Sequence, residues 1–209
     1  NYIHGSKYYL SETGTAKTLT AYVYMYYADS KLKYAIYDED LNLVAETEEY
    51  VKPSDGAFKD WKTLNLLAPV TLSPGYYWLC AWGNKRYMYI YFDSGETNQG
   101  LWQSLTYNSW PSTLSPDGYS DGKNSIYCTY EVAAPSLTIN VDKSTGYIGD
   151  VFTFYGTLTQ DNTPIEGATV TLYKDDVSTG LTDITDANGN YYISNPDPAG
   201  AAQILWYIP

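Results

Sequence analysis

The chain has 209 residues, enough for one or two domains that each bury a core. Apolar residues make up 44% of it, which excludes a disordered chain, and no apolar run reaches the ~18 residues of a membrane-spanning helix. Against 24 acidic residues stand 12 basic ones, a net charge of −12, which argues against nucleic acid and anionic membrane surfaces as partners.

The opening Asn-Tyr-Ile-His-Gly has no basic or apolar leader character, so any secretion signal is expected to have been removed or to lie outside this sequence. Residues 19–27 (LTAYVYMYY) alternate with a period of two and predict a strand. One face carries Ala21, Val23, Met25 and Tyr27; the other is a row of Tyr22, Tyr24 and Tyr26. Together with 25 Tyr, 6 Trp and 4 Phe overall, that row implies amphipathic surface suited to subunit contacts or sugar stacking. Residues 31–38 and 41–46 read as strands joined by a turn at Asp38-Glu39-Asp40. Further strands are expected at 61–67 and 70–72, followed by a Ser73-Pro74-Gly75 turn. Residues 76–82 (YYWLCAW) are almost all apolar, the mark of a central strand buried on both faces, and 86–92 alternate again. The segment 93–122 is long and poor in strand signals, and its Trp102, Tyr107, Trp110 and Tyr119 are expected to pin it onto the sandwich. Residues 125–132 close the first domain (1–132), 133–136 form a short linker, and the second domain runs from 137 to 209. No helix is expected.

Several residue groups have side chains of the kinds that carry chemistry. His4 is the only histidine and lies near the terminus, a poor position for an oriented base. Glu46, Glu48 and Glu49, and Asp38, Glu39 and Asp40, read as solvated charge, with a carboxylate hydrolase as the sharper alternative. Asp93 and Glu96, or Asp183, Asp186 and Asn188, are oxygen-rich enough for calcium, but Asp186-Ala-Asn-Gly reads first as a turn. No phosphate loop, zinc spacing or nucleotide fingerprint occurs, so neither a cofactor nor an enzymatic activity is expected. Cys80 and Cys128 form either one disulfide or two buried thiols. Trp102 and Trp110 either anchor their loop or stack against glycans, and no Asn-x-Ser/Thr sequon is present.

In the first domain, Gly-Thr-Ala-Lys-Thr-Leu-Thr-Ala-Tyr from Gly14, Tyr-Ala-Ile-Tyr-Asp from Tyr34, Leu-Ser-Pro-Gly-Tyr-Tyr-Trp-Leu from Leu72 and Ser-Ile-Tyr-Cys-Thr-Tyr from Ser125 stand out. Together they resemble a jelly-roll-like sandwich module of archaeal and bacterial surface proteins, whose motifs are structural. In the second, Asp-Val-Phe-Thr-Phe-Tyr-Gly from Asp150, Thr-Pro-Ile-Glu-Gly-Ala-Thr-Val from Thr163 and Thr-Asp-Ala-Asn-Gly-Asn-Tyr from Thr185 look like a bacterial Ig-like surface domain. That resemblance implies strands at 137–141, 151–159, 168–173, 181–185, 190–194 and 202–208, and normally one more after them. The sandwich is therefore expected to lack its last strand, leaving unpaired backbone groups that cost about 1–3 kcal/mol each when buried. A neighbouring copy supplying the strand, repeated head to tail, makes an open filament; the alternative is a chain that continues past Pro209. Residues 1–9 are the candidate donor, unless they are simply the first strand of their own domain. The expectation is an extracellular or cell-surface, all-β structural subunit of a pilus-like fibre, a helical homopolymer with glycans as a further partner. Its candidate interface residues are Tyr2, Ile3, Tyr8, Tyr22, Tyr24, Tyr26, Ile204, Trp206 and Ile208. A carbohydrate-binding adhesin is the alternative.

Overall fold

The computed structural model describes residues 1–145, 147 and 150–195 in full and the backbone of Ala202–Tyr207. Every regular element among the described residues is a strand, arranged in antiparallel sheets. The chain divides into two compact units, Asn1–Val132 and Ala133–Pro209.

In the first unit the strands are β1 (Tyr2–Leu10), β2 (Gly14–Met25), β3 (Lys31–Asp38), β4 (Leu43–Glu46), β5 (Tyr50–Val51), β6 (Phe58–Leu72) and β7 (Gly75–Gly83). The short strands β8 (Met88–Ile90), β9 (Phe92–Ser94), β10 (Gly100–Ser104), β11 (Gly118–Ser120), β12 (Gly122–Asn124) and β13 (Ile126–Glu131) follow. The larger sheet has the order β11-β10-β1-β7-β3-β4, with β5 also on β3. The smaller has β13-β2-β6, with β8 also on β2, and β9 and β12 form a ribbon.

The two-residue period explains how the sheets pack. Leu32, Tyr34 and Ile36 of β3 and Leu79 and Ala81 of β7 meet Leu19, Ala21, Val23 and Met25 of β2 and Leu64 and Leu66 of β6 in one core. The alternate residues, Ala35, Tyr37, Trp78, Cys80 and Trp82, enter a second cluster with Ile3, Leu101, Trp110 and Leu114. Strands β3 and β7 are therefore buried on both faces, and residues 105–117 form a third layer over the larger sheet. The apolar run at 76–82 is this doubly buried strand.

Two expectations are corrected here. Residues 1–9 are not a strand offered to another molecule: β1 lies between β7 and β10, with Gly5 opposite Cys80 on one side and Leu101 on the other. Ile3 is fully buried in the second cluster, and Tyr8 packs on the first core while its hydroxyl donates to the Asn124 carbonyl. A Cβ on Gly5 would come within 2.6 Å of Cys80 Sγ, so the strand is seated tightly. The cysteines are both free thiols. They sit on different sheets and face different cores, Cys80 in the second cluster and Cys128 against the first, so no disulfide joins them. Burial pushes the Cys80 thiol well up and that of Cys128 to about 11.

The second unit contains β14 (Ser136–Leu137), β15 (Asn140–Val141), β16 (Phe152–Gln160), β17 (Thr163–Pro164), β18 (Thr169–Lys174), β19 (Val177–Ile184), β20 (Asn190–Asn195) and β21 (Ala202–Tyr207). One sheet gathers β14, β15, β17 and β20 around β16; the other has the order β19-β18-β21. Phe154, Tyr191 and Ile193 from the first meet Val170 and Leu172 from the second. The Asp186-Ala-Asn-Gly segment is a turn: Asp186 Oδ1 accepts from the N–H groups of Asn188 and Asn190, each at 2.8 Å, and Gly189 takes φ +73°.

Candidate interaction surface

The alternation that sends Ala21, Val23 and Met25 of β2 into the core turns Tyr22 and Tyr24 outward. Register then decides their neighbours. Tyr22 stands opposite Trp61 of β6, Tyr24 opposite Tyr89 of β8, and Thr20 opposite Tyr127 of β13. The rings meet: Tyr22 and Trp61 centroids are 5.4 Å apart, Tyr22 and Tyr91 5.1 Å, Trp61 and Tyr127 5.6 Å, and Tyr24 and Tyr89 6.1 Å in a stacked pair. Past the end of β2, Tyr26 and Tyr27 continue the series to Tyr87. Lys59 lays its ammonium 4.9 Å from the Tyr91 ring. Tyr26, Trp61, Tyr89, Tyr91 and Tyr127 are exposed, and Tyr22 and Tyr24 are half-buried by their neighbours. The result is a contiguous aromatic field on the outer face of the smaller sheet, an arrangement that marks contact surfaces. The row Tyr22, Tyr24, Tyr26 belongs to it. Sequence reasoning missed Trp61, Tyr89, Tyr91 and Tyr127. The same-parity run Tyr87, Tyr89, Tyr91 was a signal for half of them, but their assembly depends on which strands pair.

The opposite face is closed by the segment 105–117. Trp110 is only 6% exposed, packed on Tyr37 and Trp82, so it is a loop anchor and not a ring open to glycans. Lys33 completes the lock. Its ammonium lies 4.8, 5.0 and 5.3 Å from the rings of Trp82, Tyr107 and Trp110 and donates to the Asn108 carbonyl. The Tyr107 hydroxyl donates to Glu49, which is paired with Lys31 at 2.7 Å. Partial burial alone would raise the Glu49 carboxyl, but these two donors hold it below its ordinary value. Trp102 keeps 37% exposure, with its indole against Gly118 and its edge toward Tyr2.

Several of the carboxylates considered for chemistry hold amide groups of their own neighbourhood. Glu48 accepts from the backbone and side-chain amides of Asn65, and Asp38 from those of Asn42. Asp183 accepts the Tyr192 N–H at 2.6 Å, and both Asp186 oxygens are engaged in the turn. Asp93 lies on β9 beside Lys123, and the Glu96 N–H donates to Gln99. His4 is exposed on β1, with its ring 6.0 Å from that of Tyr2.

In the second unit β18 is hydrogen-bonded on both sides, whereas among the described residues β21 pairs only with β18 and forms a sheet edge. Ile204 and Trp206 lie on that strand, of which the backbone is described, and Ile208 lies outside the described residues. No family model matches the chain, and no curated protein or solved structure compared with it does either.

Proposed function

We propose that this chain is a structural subunit of an extracellular filament or surface fibre that assembles with copies of itself. The observation that carries the reading is the aromatic field around Tyr22, Tyr24 and Trp61. Each ring there has apolar area still in water, worth about 25 cal/mol per Å² when a second surface covers it. Rings of this kind are the residues that dominate protein interfaces. The β21 edge supports the mode of assembly, since an edge strand with free backbone groups is a template for an added strand. A contact between two different surfaces propagates instead of closing, which makes fibres. The jelly-roll and Ig-like resemblances agree with a surface setting.

The test is negative-stain electron microscopy of the purified protein at rising concentration, beside the triple variant Tyr22→Ser, Trp61→Ser, Tyr89→Ser. Those side chains point away from the core, so the variant keeps its fold, which circular dichroism verifies. Ordered fibres from the native chain and single particles from the variant are expected. Isolated particles from the native chain at every concentration would overturn the reading.

A further inference from the structure

Beyond self-association, the outer face of the larger sheet carries a second feature, at the end that residues 105–117 leave open. A depression of about 250 Å³ is lined by Lys7 of β1, Glu39 and Leu41 of the β3–β4 turn, Trp78 of β7, Asn98 and Tyr119 of β11. Five separate chain segments converge there.

We propose that this depression binds a neutral oligosaccharide. The lining has the two chemistries that a sugar ring requires, apolar faces for its CH groups and mixed donors and acceptors for its hydroxyls. Tyr119, half exposed, supplies the open face, and Trp78, only 3% exposed, forms the floor behind it, with centroids 6.1 Å apart and planes inclined by 49°. Aromatic surface continues along the sheet: Lys7 lies over both Trp78 and Tyr76, and Tyr76 meets Tyr9 at 5.0 Å. That continuity favours several linked rings over one. The polar groups are held in place. Glu39 Oε1 accepts from the Lys7 ammonium at 3.3 Å, leaving its second oxygen and the other ammonium protons for hydroxyl groups. Asn98 sits at φ +59°, fixed by its N–H to Asp121 Oδ1 at 3.0 Å, and presents a carboxamide able both to donate and to accept.

Charge selects the class of glycan. Lys7 and Glu39 neutralise each other, so the walls offer no net charge to a uronate or sulfate, and the chain as a whole is at −12. The aromatic field on the smaller sheet differs: most of its rings are tilted onto one another, and its strands carry threonines and Lys59 in place of a paired polar wall. Trp102 and Trp110 are not among the residues that line this depression.

The experiment is binding of a panel of neutral and anionic hexasaccharides to dilute, unassembled protein, measured by isothermal titration calorimetry. Tyr119→Ala removes an exposed ring (49% exposed) and leaves the core intact; it is expected to weaken binding of a neutral hexasaccharide about tenfold, whereas Tyr119→Phe retains it. Glu39→Gln is expected to weaken binding while leaving the melting temperature unchanged. Three outcomes overturn the proposal: no neutral hexasaccharide binds the folded protein, only anionic ones bind, or binding is indifferent to Tyr119→Ala and Glu39→Gln.

Discussion

Tyrosine is used in this chain both inside the cores and on the exposed aromatic field, and the two settings differ in what surrounds the hydroxyl. Tyr34 and Tyr37 lie in the two cores, with hydroxyls donating to the carbonyls of Lys62 at 3.1 Å and Pro111 at 2.8 Å. Tyr191 does the same in the second unit, to Thr138 at 2.6 Å. Burial pushes all three phenols up, Tyr191 to about 12, and Tyr8 likewise to about 12. The sign follows. A phenol that ionises less readily in the folded chain stabilises the fold fully below the unfolded value of about 10, and that stability is lost as pH rises toward the folded value. Absorbance of tyrosinate from these buried phenols should therefore appear late, above the ordinary phenol range, in a cooperative step as the fold opens. A single smooth stage near pH 10 would mean that these phenols are not buried. Glycine is as informative at Gly156, where a Cβ would sit 2.0 Å from the Thr138 carbonyl oxygen. Gly156→Ala is expected to destabilise the second unit by about 1–3 kcal/mol, read from urea unfolding; an unchanged midpoint would contradict the packing of β16 described above.

At the level of elements, the long segment 93–122 separates what pattern could and could not reveal. Its role as a pinned cover was legible, because Tyr107 and Trp110 have no other reason to sit among Gly, Ser and Pro. Its four short strands β9 to β12 were not. Gly100-Leu-Trp-Gln-Ser and Gly118-Tyr-Ser have little propensity of their own, and their pairing is imposed by β1 and by each other. The same reason hid the fate of residues 1–9, whose sequence suits a donated strand as well as a central one; only the register with β7 and β10 decides. It also hid the glycan depression, whose residues come from five segments far apart in sequence. Lys33 stands in an ordinary strand pattern, and the rings around it come from β7 and from the covering loop. Trp110→Ala should cost about 3–5 kcal/mol and open residues 105–117 to protease. Unchanged melting together with unchanged protection would show that the segment is held by something other than this lock.

For the whole molecule, two opposing quantities set the conditions of assembly. Exposed rings favour association, while a net charge of −12 on each copy opposes it. Salt screens the second far more than the first, with a Debye length of about 8 Å at physiological strength. Self-association should therefore strengthen as salt is raised. The most direct measurement is sedimentation velocity of the native chain over a range of concentration at low and at physiological salt. The account predicts growth from monomer to a broad, fast-sedimenting population, earlier at the higher salt and absent in the Tyr22→Ser, Trp61→Ser, Tyr89→Ser variant. A single monomer boundary at every concentration and both salts, identical for the two proteins, would contradict it.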